Sequence, residues 1–206
     1  MKLKSLEATS FIFLFTFLSL SSTLFAQNPP PSASQNQESK SSSDGAASYL
    51  RNYVLVTQDE KPVHLYEDLL KGKIVLINFF FTTCQGICPR MTANLAKVQG
   101  LLSDHVGREV LMISISVDPV TDTPQALKKY SERFKAQPGW YFLTGKKENV
   151  DLVRSKFGTY VEDKQAHTSL LIIGNVATGE WMKANAMLNP TEIASAVIKL
   201  LDSKKK

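Results

Sequence analysis

Cysteine is scarce in this sequence: Cys84 and Cys88 are the only two among 206 residues. The folded part has roughly 150 residues, and a domain of that size buries enough apolar surface to fold without disulfides. The pair is therefore not needed as a structural staple. The chain also lacks internal repeats and any basic run alternating with aromatic residues. Apart from the lysines at 204–206, its net charge of +5 is spread along the chain. A spread surplus is typical of a solvated surface, so we expect no nucleic-acid binding.

The N-terminus has the pattern of a secretory signal. Lys2 and Lys4 give a positive start, an apolar stretch covers 11–20, and Ala26 is a small residue suited to cleavage. We expect residues 1–26 to be a signal peptide; the alternative is an uncleaved anchor that tethers the protein to a membrane. The unbroken apolar run is shorter than the ~20 residues a span prefers. Both alternatives predict a periplasmic protein or one on the outer face of the inner membrane.

Residues 27–48 predict a flexible polar linker. They contain Pro29-Pro30-Pro31 followed by many Ser, Gln and Asn residues, with almost no large apolar side chain. Such a segment cannot bury enough surface to offset the entropy lost on ordering. We expect a single folded domain at 49–206.

Strand-like and helix-like segments alternate through that domain. The patterns predict strands at 53–57, 62–66, 74–81, 110–117, 140–143, 169–173 and 180–183. They predict helices at 89–102, from 124 onward, at 147–157 and at 189–201. The continuous apolar run at 74–81 is typical of a central strand buried on both faces. This order predicts an α/β protein with a central mixed sheet flanked by helices, which is also the layout of the thioredoxin-like fold.

The two cysteines follow the 74–81 strand and come at the start of the next helix. A helix N-terminus lowers a thiol pKa, and helical positions i and i+4 share one face with Cα atoms about 6 Å apart. The pair can thus bind a soft metal or close into a disulfide. A bridge over so short a loop would contribute little to stability. Three residues lie between the two cysteines, whereas an ordinary thioredoxin motif has two. Peroxide reduction is a further activity that this fold allows.

His167 directly precedes the predicted strand at 169–173, where an imidazole could approach the cysteine pair. Two thiolates and one imidazole suit Cu(I) and Cu(II), whereas structural zinc usually takes a fourth protein ligand. A single histidine before a strand is more often incidental, so the residues alone leave its ligation open. His64 and His105 have no comparable context and are interpreted as surface or packing residues.

Four segments in order resemble the SenC/Sco family, named for assembly of cytochrome c oxidase. They are Asn78-Phe79-Phe80-Phe81-Thr82-Thr83-Cys84-x-x-x-Cys88-Pro89, Asp118-Pro119 through Asp122-Thr123-Pro124, Leu143-Thr144-Gly145, and His167-Thr168-Ser169. The similarity covers about 53–201. Gln85 and Gly86-Ile87 depart from the family, which usually has Pro after the first cysteine and an acidic residue before the second.

The resemblance implies copper bound by Cys84, Cys88 and His167. It also implies delivery of copper to the CuA centre of cytochrome c oxidase, or reduction of the cysteines of that centre. The expected partner is the CuA-bearing subunit or another copper protein. The chain itself is expected to be a monomer. Asp118 matches a family position near the metal, which suggests a role beside the ligands or in docking.

Three hypotheses therefore remain open from the sequence. A metallochaperone would need both thiolates and His167. A thiol–disulfide oxidoreductase would need Cys84 and Cys88 but not His167, and would be the only one of the three to act as an enzyme. An adhesion or structural domain would hold the cysteines as an inert disulfide.

Overall fold

Seven strands form one mixed sheet in the computed structural model, which describes Tyr49 and residues 53–166 and 168–203. The strands are β1 (Val54–Thr57), β2 (Pro62–His64), β3 (Ile74–Phe80), β4 (Val110–Ser116), β5 (Trp140–Thr144), β6 (Leu170–Asn175) and β7 (Glu180–Asn185). Their spatial order is β2-β1-β5-β4-β3-β6-β7. The predicted signal peptide and linker lie outside the described residues, as does His167.

Four α-helices accompany the sheet within the described residues: α1 (Ile87–Leu101), α2 (Pro124–Arg133), α3 (Lys147–Lys156) and α4 (Pro190–Ser203). Thr123 caps the start of α2, since its Oγ1 accepts a hydrogen bond from the Ala126 N–H at 3.2 Å. A π-helical segment covers Leu65–Leu70, and a short 3₁₀ turn covers Lys164–Ala166. No helix in the described ranges is both long and apolar enough to cross a membrane.

The strand directions bring separate loops to one edge of the sheet. β3 runs parallel to β4, and β4 runs parallel to β5, so their carboxyl ends point the same way. β6 pairs antiparallel with β3, with Asn78 opposite Leu171, so β6 begins where β3 ends. The segments after β3 and β4 and the segment before β6 therefore meet at this carboxyl edge.

Every residue of β3 and β4 is buried, as expected for central strands covered on both faces. Neighbouring side chains of β3 point to opposite faces. Phe80 packs on Tyr130 of α2 with ring centroids 5.1 Å apart, while Phe79 meets Phe157, just after α3, at 6.2 Å. On the Phe80 face, Thr92 of α1 hydrogen-bonds the Tyr130 hydroxyl at 3.1 Å. Helices thus cover both sides of the sheet.

One predicted strand is partly wrong. The strand expected at 62–66 ends at His64, and the chain then enters the π-helical segment. Leu65, Tyr66, Leu69 and Leu70 are all buried, which is the spacing of one helical face. The His64 N–H donates to Asp68 Oδ2 at 2.6 Å and helps turn the chain into that segment.

Candidate metal centre

The two cysteines lie on either side of the start of α1. The Cys84 N–H donates to the Phe81 carbonyl at 3.3 Å, which closes a tight turn directly after β3. Gly86 occupies the N-cap position, and Cys88 is the second residue of α1. Cys84 is therefore not helical, and the expectation that both cysteines share a helix face is wrong. The turn, rather than the helical repeat, brings the two thiols together.

Both cysteines are buried thiols rather than a disulfide, and their side chains hydrogen-bond each other. Burial works to raise the pKa of Cys84, but hydrogen bonds from Cys88 and from backbone at 86–88 outweigh it, and its pKa is lowered. Burial, aided by the hydrogen bond with Cys84, raises the pKa of Cys88 to about 12. Cys84 is thus the thiol of the pair that loses its proton first, and Cys88 is the one that keeps it.

Asp122 fixes the chain just before the cysteines. This carboxylate is fully buried, and burial raises its pKa. Both of its oxygens accept from the Thr82 N–H, at 3.2 and 3.1 Å, and one also accepts from the Thr82 hydroxyl. Oδ2 accepts a further hydrogen bond from Ser116 Oγ at 2.5 Å. The loop that carries Cys84 is therefore tied to the end of β4 by a buried network.

Asp118 starts the turn in which Asp122 lies. The N–H groups of Thr121 and Asp122 donate to the Asp118 carbonyl at 3.1 and 2.9 Å. The Asp118 side chain, 12 % exposed, accepts from Lys164 Nζ at 2.6 Å. Burial works to raise the pKa of Asp118, but Lys164 and Thr121 outweigh it, and its pKa is lowered. Lys164 Nζ also lies 5.3 Å from the centroid of the Phe81 ring.

His167, the third predicted ligand, lies outside the described residues, so its ligation stays a prediction. The residues on either side of it belong to the carboxyl edge, since the Lys164–Ala166 turn precedes it and β6 follows it. Within the described ranges, no three His, Cys, Asp or Glu side chains converge as a metal-holding group. His64 and His105 lie 3.7 Å from Asp68 and Glu109, respectively, with partly exposed side chains, which agrees with their predicted surface roles.

Lys164 and the function of Asp122 were not predicted from sequence. Asp122 carried a signal, because it stands four residues after Asp118 and immediately before the Thr123-Pro124 helix start. Lys164 carried none, because its partner Asp118 is 46 residues away along the chain. Only the folded sheet brings those two side chains together.

Comparison with known proteins decides the family. The sequence profile described as SCO1/SenC matches residues 41–199. The chain belongs to the SCO1/SenC family. Its similarity to the SCO1 protein homolog of Bacillus subtilis (strain 168) is 40 % identity over 94 residues, 45 % of this chain and 47 % of that protein. The match thus spans about half the length of this curated relative.

Solved SCO1/SenC structures confirm the predicted α/β, thioredoxin-like fold class. A family lipoprotein from Bacillus anthracis superposes with a TM-score of 0.63 at 29 % identity, over 72 % of this chain and 92 % of that one. BsSco is described with a disulfide switch and as a cytochrome c oxidase assembly protein. It superposes with a TM-score of 0.61 at 30 % identity, over 71 % of this chain and 90 % of its own. Copper-bound ScoI of Bradyrhizobium japonicum superposes with a TM-score of 0.60 at 28 % identity, over 71 % of this chain and 96 % of its own.

Proposed function

We propose that this chain binds copper as cargo and delivers it during cytochrome c oxidase assembly, as a metallochaperone for the CuA centre. The observation that carries the proposal is the hydrogen-bonded pair of buried thiols, Cys84 and Cys88, at the start of α1. A copper-bound relative at 28 % identity supports the choice of metal.

The thiols fit copper by their chemistry. Cu(I) prefers soft thiolate ligands, and an added imidazole suits Cu(II), so His167 is the proposed third ligand. Cys84 loses its proton more easily than Cys88, whose pKa is raised to about 12, so metal binding must displace the Cys88 proton. Copper uptake should therefore release protons, and the apparent affinity should rise with pH.

Unequal exposure suggests an order of transfer. Cys84 is 8 % exposed and Cys88 is fully buried, so an incoming thiolate from the partner reaches the Cys84 side of the ion first. In each exchange a partner sulfur bonds Cu(I), a Cys sulfur leaves, and the leaving thiolate takes up the proton that the partner thiol lost. The proposed recipient is the CuA-bearing subunit or another copper protein.

A second candidate function, thiol–disulfide exchange, rests on the inequality of the two thiols. The Cys84 thiolate would attack a partner disulfide, and Cys88 would then displace the partner from the mixed disulfide. The products are a Cys84–Cys88 disulfide and two partner thiols. The disulfide switch described for BsSco gives this candidate a precedent in a relative.

Copper titration of the reduced full chain tests the first function. We expect one copper per chain, lost in Cys84→Ala and in Cys88→Ala, and weaker Cu(II) binding in His167→Ala. His64→Ala is the matched control, because its side chain is 60 % exposed on an edge strand and pairs with Asp68. Absence of copper uptake by the reduced chain would refute the chaperone function. Equal Cu(II) affinity of wild type and His167→Ala would refute the assignment of His167 as the third ligand.

Turnover distinguishes the second candidate. A dithiol donor and a disulfide-bonded peptide carrying the partner's cysteine motif would be incubated with wild type, His167→Ala and Cys84→Ala. A reductase would retain its rate in His167→Ala and lose it in Cys84→Ala. A rate equal to that of the uncatalysed mixture would exclude this function.

The proposal includes a location outside the cytoplasm, in the periplasm or on the outer face of the inner membrane. It rests on the sequence of residues 1–26. Fusion of the chain to a reporter that is active only after export tests it: activity that disappears on deletion of 1–26 is expected, and a reporter inactive with the full chain would refute export.

A further inference from the structure

An exposed tryptophan and a lysine lie together on the α3 side of the β6–β7 hairpin. Trp181 is 39 % exposed, and its ring lies 6.3 Å from that of Phe157, between centroids. Lys183, two residues further along β7, points to the same face, and its Nζ lies 3.7 Å from the position that a Cβ would take at Gly158. The intervening Met182 lines a cavity with α4 on the other face. Trp181 and Lys183 therefore lie beside the end of α3.

Two tyrosines and a second lysine extend this surface. Lys156 directly precedes Phe157, and its Nζ lies 3.7 Å from the centroid of the Tyr49 ring. The centroid of the Tyr160 ring lies 5.0 Å from the guanidinium carbon of Arg154 in α3. Tyr49 and Tyr160 are 50 % and 47 % exposed. We call the following residues the aromatic–basic patch: Tyr49, Lys156, Tyr160, Trp181 and Lys183.

The positive charge of the patch is not neutralised by neighbouring side chains. Within the described ranges, neither Lys156 nor Lys183 belongs to an ion pair. Asp151 of α3 pairs with Arg154 instead, and Glu180 of β7 accepts a hydrogen bond from α4 on the opposite face. An anionic surface would complement this charge. Exposed Trp and Tyr rings beside lysines are typical of the boundary between a membrane and water.

The position of Tyr49 connects the patch with the N-terminus. Tyr49 follows residues 1–48, of which 1–26 are the predicted signal peptide or anchor. A chain held at a membrane through that anchor would enter the domain at the patch. Cys84 lies at the carboxyl edge of the sheet, and Cys88 belongs to α1, which covers the opposite face. Contact through the patch would therefore leave both thiols open to a partner protein.

We propose that the aromatic–basic patch docks this domain on an anionic lipid surface. Lys156 and Lys183 face the lipid phosphates, and the exposed rings lie at the boundary between headgroups and acyl chains. The attraction of lysine to anionic lipid is screened by salt, so the contact weakens as ionic strength rises. The inference goes beyond copper binding and does not depend on it.

Trp181 itself can report the contact. The chain has two tryptophans, and the other, Trp140, is 2 % exposed and so cannot reach lipid. The full chain would be mixed with vesicles of brominated phosphatidylcholine, alone or with an equimolar amount of phosphatidylglycerol. We expect quenching of the tryptophan emission by the anionic vesicles only, and its loss at high salt. Because bromine quenches only a nearby ring, attachment through residues 1–26 alone would not produce this signal.

Two double variants test the role of the lysines. Lys156→Gln/Lys183→Gln should raise the lipid concentration needed for half-maximal quenching about tenfold, because each lysine contributes to the attraction. Lys97→Gln/Lys129→Gln is the matched control. It removes the same charge from exposed positions of α1 and α2, on the other face of the sheet, and should quench as wild type does.

The possible results are distinct. Absence of quenching by anionic vesicles, or equal quenching by neutral ones, would overturn the inference. Equal effects of the two double variants would also overturn it, since they would indicate a response to net charge alone. A change of Trp181 emission with polyglutamate but not with vesicles would replace the lipid surface with an acidic protein partner. None of these results alters the copper titration, so the proposed function stands or fails separately.

Discussion

Cys84 and Cys88 are two thiols with different chemistry. Cys84 combines slight exposure with a lowered pKa, while Cys88 is fully buried with a pKa raised to about 12. In a pair with this inequality, Cys84 loses its proton before Cys88 does. That order avoids the high cost of two adjacent buried anions.

Alkylation measures the inequality directly. On treatment of the reduced chain with iodoacetamide, Cys84 should be modified first, because only the thiolate reacts. Its rate should rise with pH and level off below the usual thiol range, since its pKa is lowered. Cys88 should stay unmodified until the chain unfolds. Peptide mass spectrometry over a pH series gives both rates, and equal rates would contradict the assigned roles.

Replacement of Asp122 should destabilise the fold. In Asp122→Ala the partly buried hydroxyl of Thr82 and the buried hydroxyl of Ser116 lose their acceptor, and we expect a loss of about 2–4 kcal/mol in the free energy of unfolding. Urea unfolding at pH 7 gives the value. Asp104→Ala, at an exposed aspartate, should stay within about 0.5 kcal/mol of wild type. A similar small change for Asp122→Ala would contradict the network described.

The effect of Asp122 also has a predicted pH dependence. Burial raises its pKa in the folded state, so its stabilising contribution is fully present below the unfolded pKa of about 3.9. The contribution falls as pH rises through the raised folded pKa, because the folded chain must then bury a charge. The difference in unfolding free energy between wild type and Asp122→Asn should therefore decrease as pH rises from about 4. A difference that grows with pH would show that the pKa is lowered instead.

At the scale of elements, the β6–β7 hairpin depends on a glycine. Gly174 lies opposite Trp181, and a Cβ at Gly174 would sit 2.2 Å from the indole ring. Gly174→Ala should therefore displace the tryptophan from the Phe157 ring, which lies 6.3 Å away between centroids. We expect a loss of about 1–3 kcal/mol in the free energy of unfolding, measured by urea titration.

Gly100→Ala is the matched control for that change. Gly100 lies in α1, and no neighbouring atom comes within 4 Å of the position that a Cβ would take there, so alanine should stabilise by about 0.5–1 kcal/mol. The double variant Gly174→Ala/Trp181→Ala removes the clash. Adding Gly174→Ala to Trp181→Ala should therefore lower the free energy of unfolding less than adding Gly174→Ala to wild type does. Additive losses in the double variant would show that the indole is not the cause.

Central elements were predicted better than peripheral ones, for a physical reason. β3 and β4 end only one residue before their predicted ends. A strand buried on both faces is largely apolar, so its run stands out in the sequence. The 62–66 segment was misread in part, because Leu65 and Tyr66 suit a strand as well as the π-helical segment that contains them. The start of α1 was placed two residues late, since Gly86 and Ile87 carry no helical signal of their own.

For the whole molecule, copper should act as a stabilising ligand. A ligand that binds only the folded state at 100 times its dissociation constant adds about 2.7 kcal/mol. In a domain of this size, that corresponds to a rise in Tm of about 5–10 °C. Thermal unfolding of the reduced full chain with and without Cu(I) measures the shift. The Cys84→Ala/Cys88→Ala double variant should show none, and an equal shift in that variant would place the copper elsewhere.

The sequence was sufficient for the family and the fold class, because four short motifs in order carry both. It also indicated the cysteine pair, whose position after a buried strand is a local pattern. It could not indicate the tie between Lys164 and Asp118, because partners 46 residues apart meet only through the sheet order. The ligand role of His167, the cleavage after Ala26 and the linker at 27–48 stay predictions.

The two outer strands of the sheet have a consequence for solubility. β2 is only three residues long and begins with Pro62, which has no N–H to offer a neighbouring strand. β7 is longer and exposes Trp181 and Met182, but Glu180 and Lys183 flank them with charge. Such flanking charges act as gatekeepers against edge-to-edge association. Among the described strands, the proline of β2 and the charges of β7 therefore disfavour the joining of a second copy edge to edge into a continuous sheet.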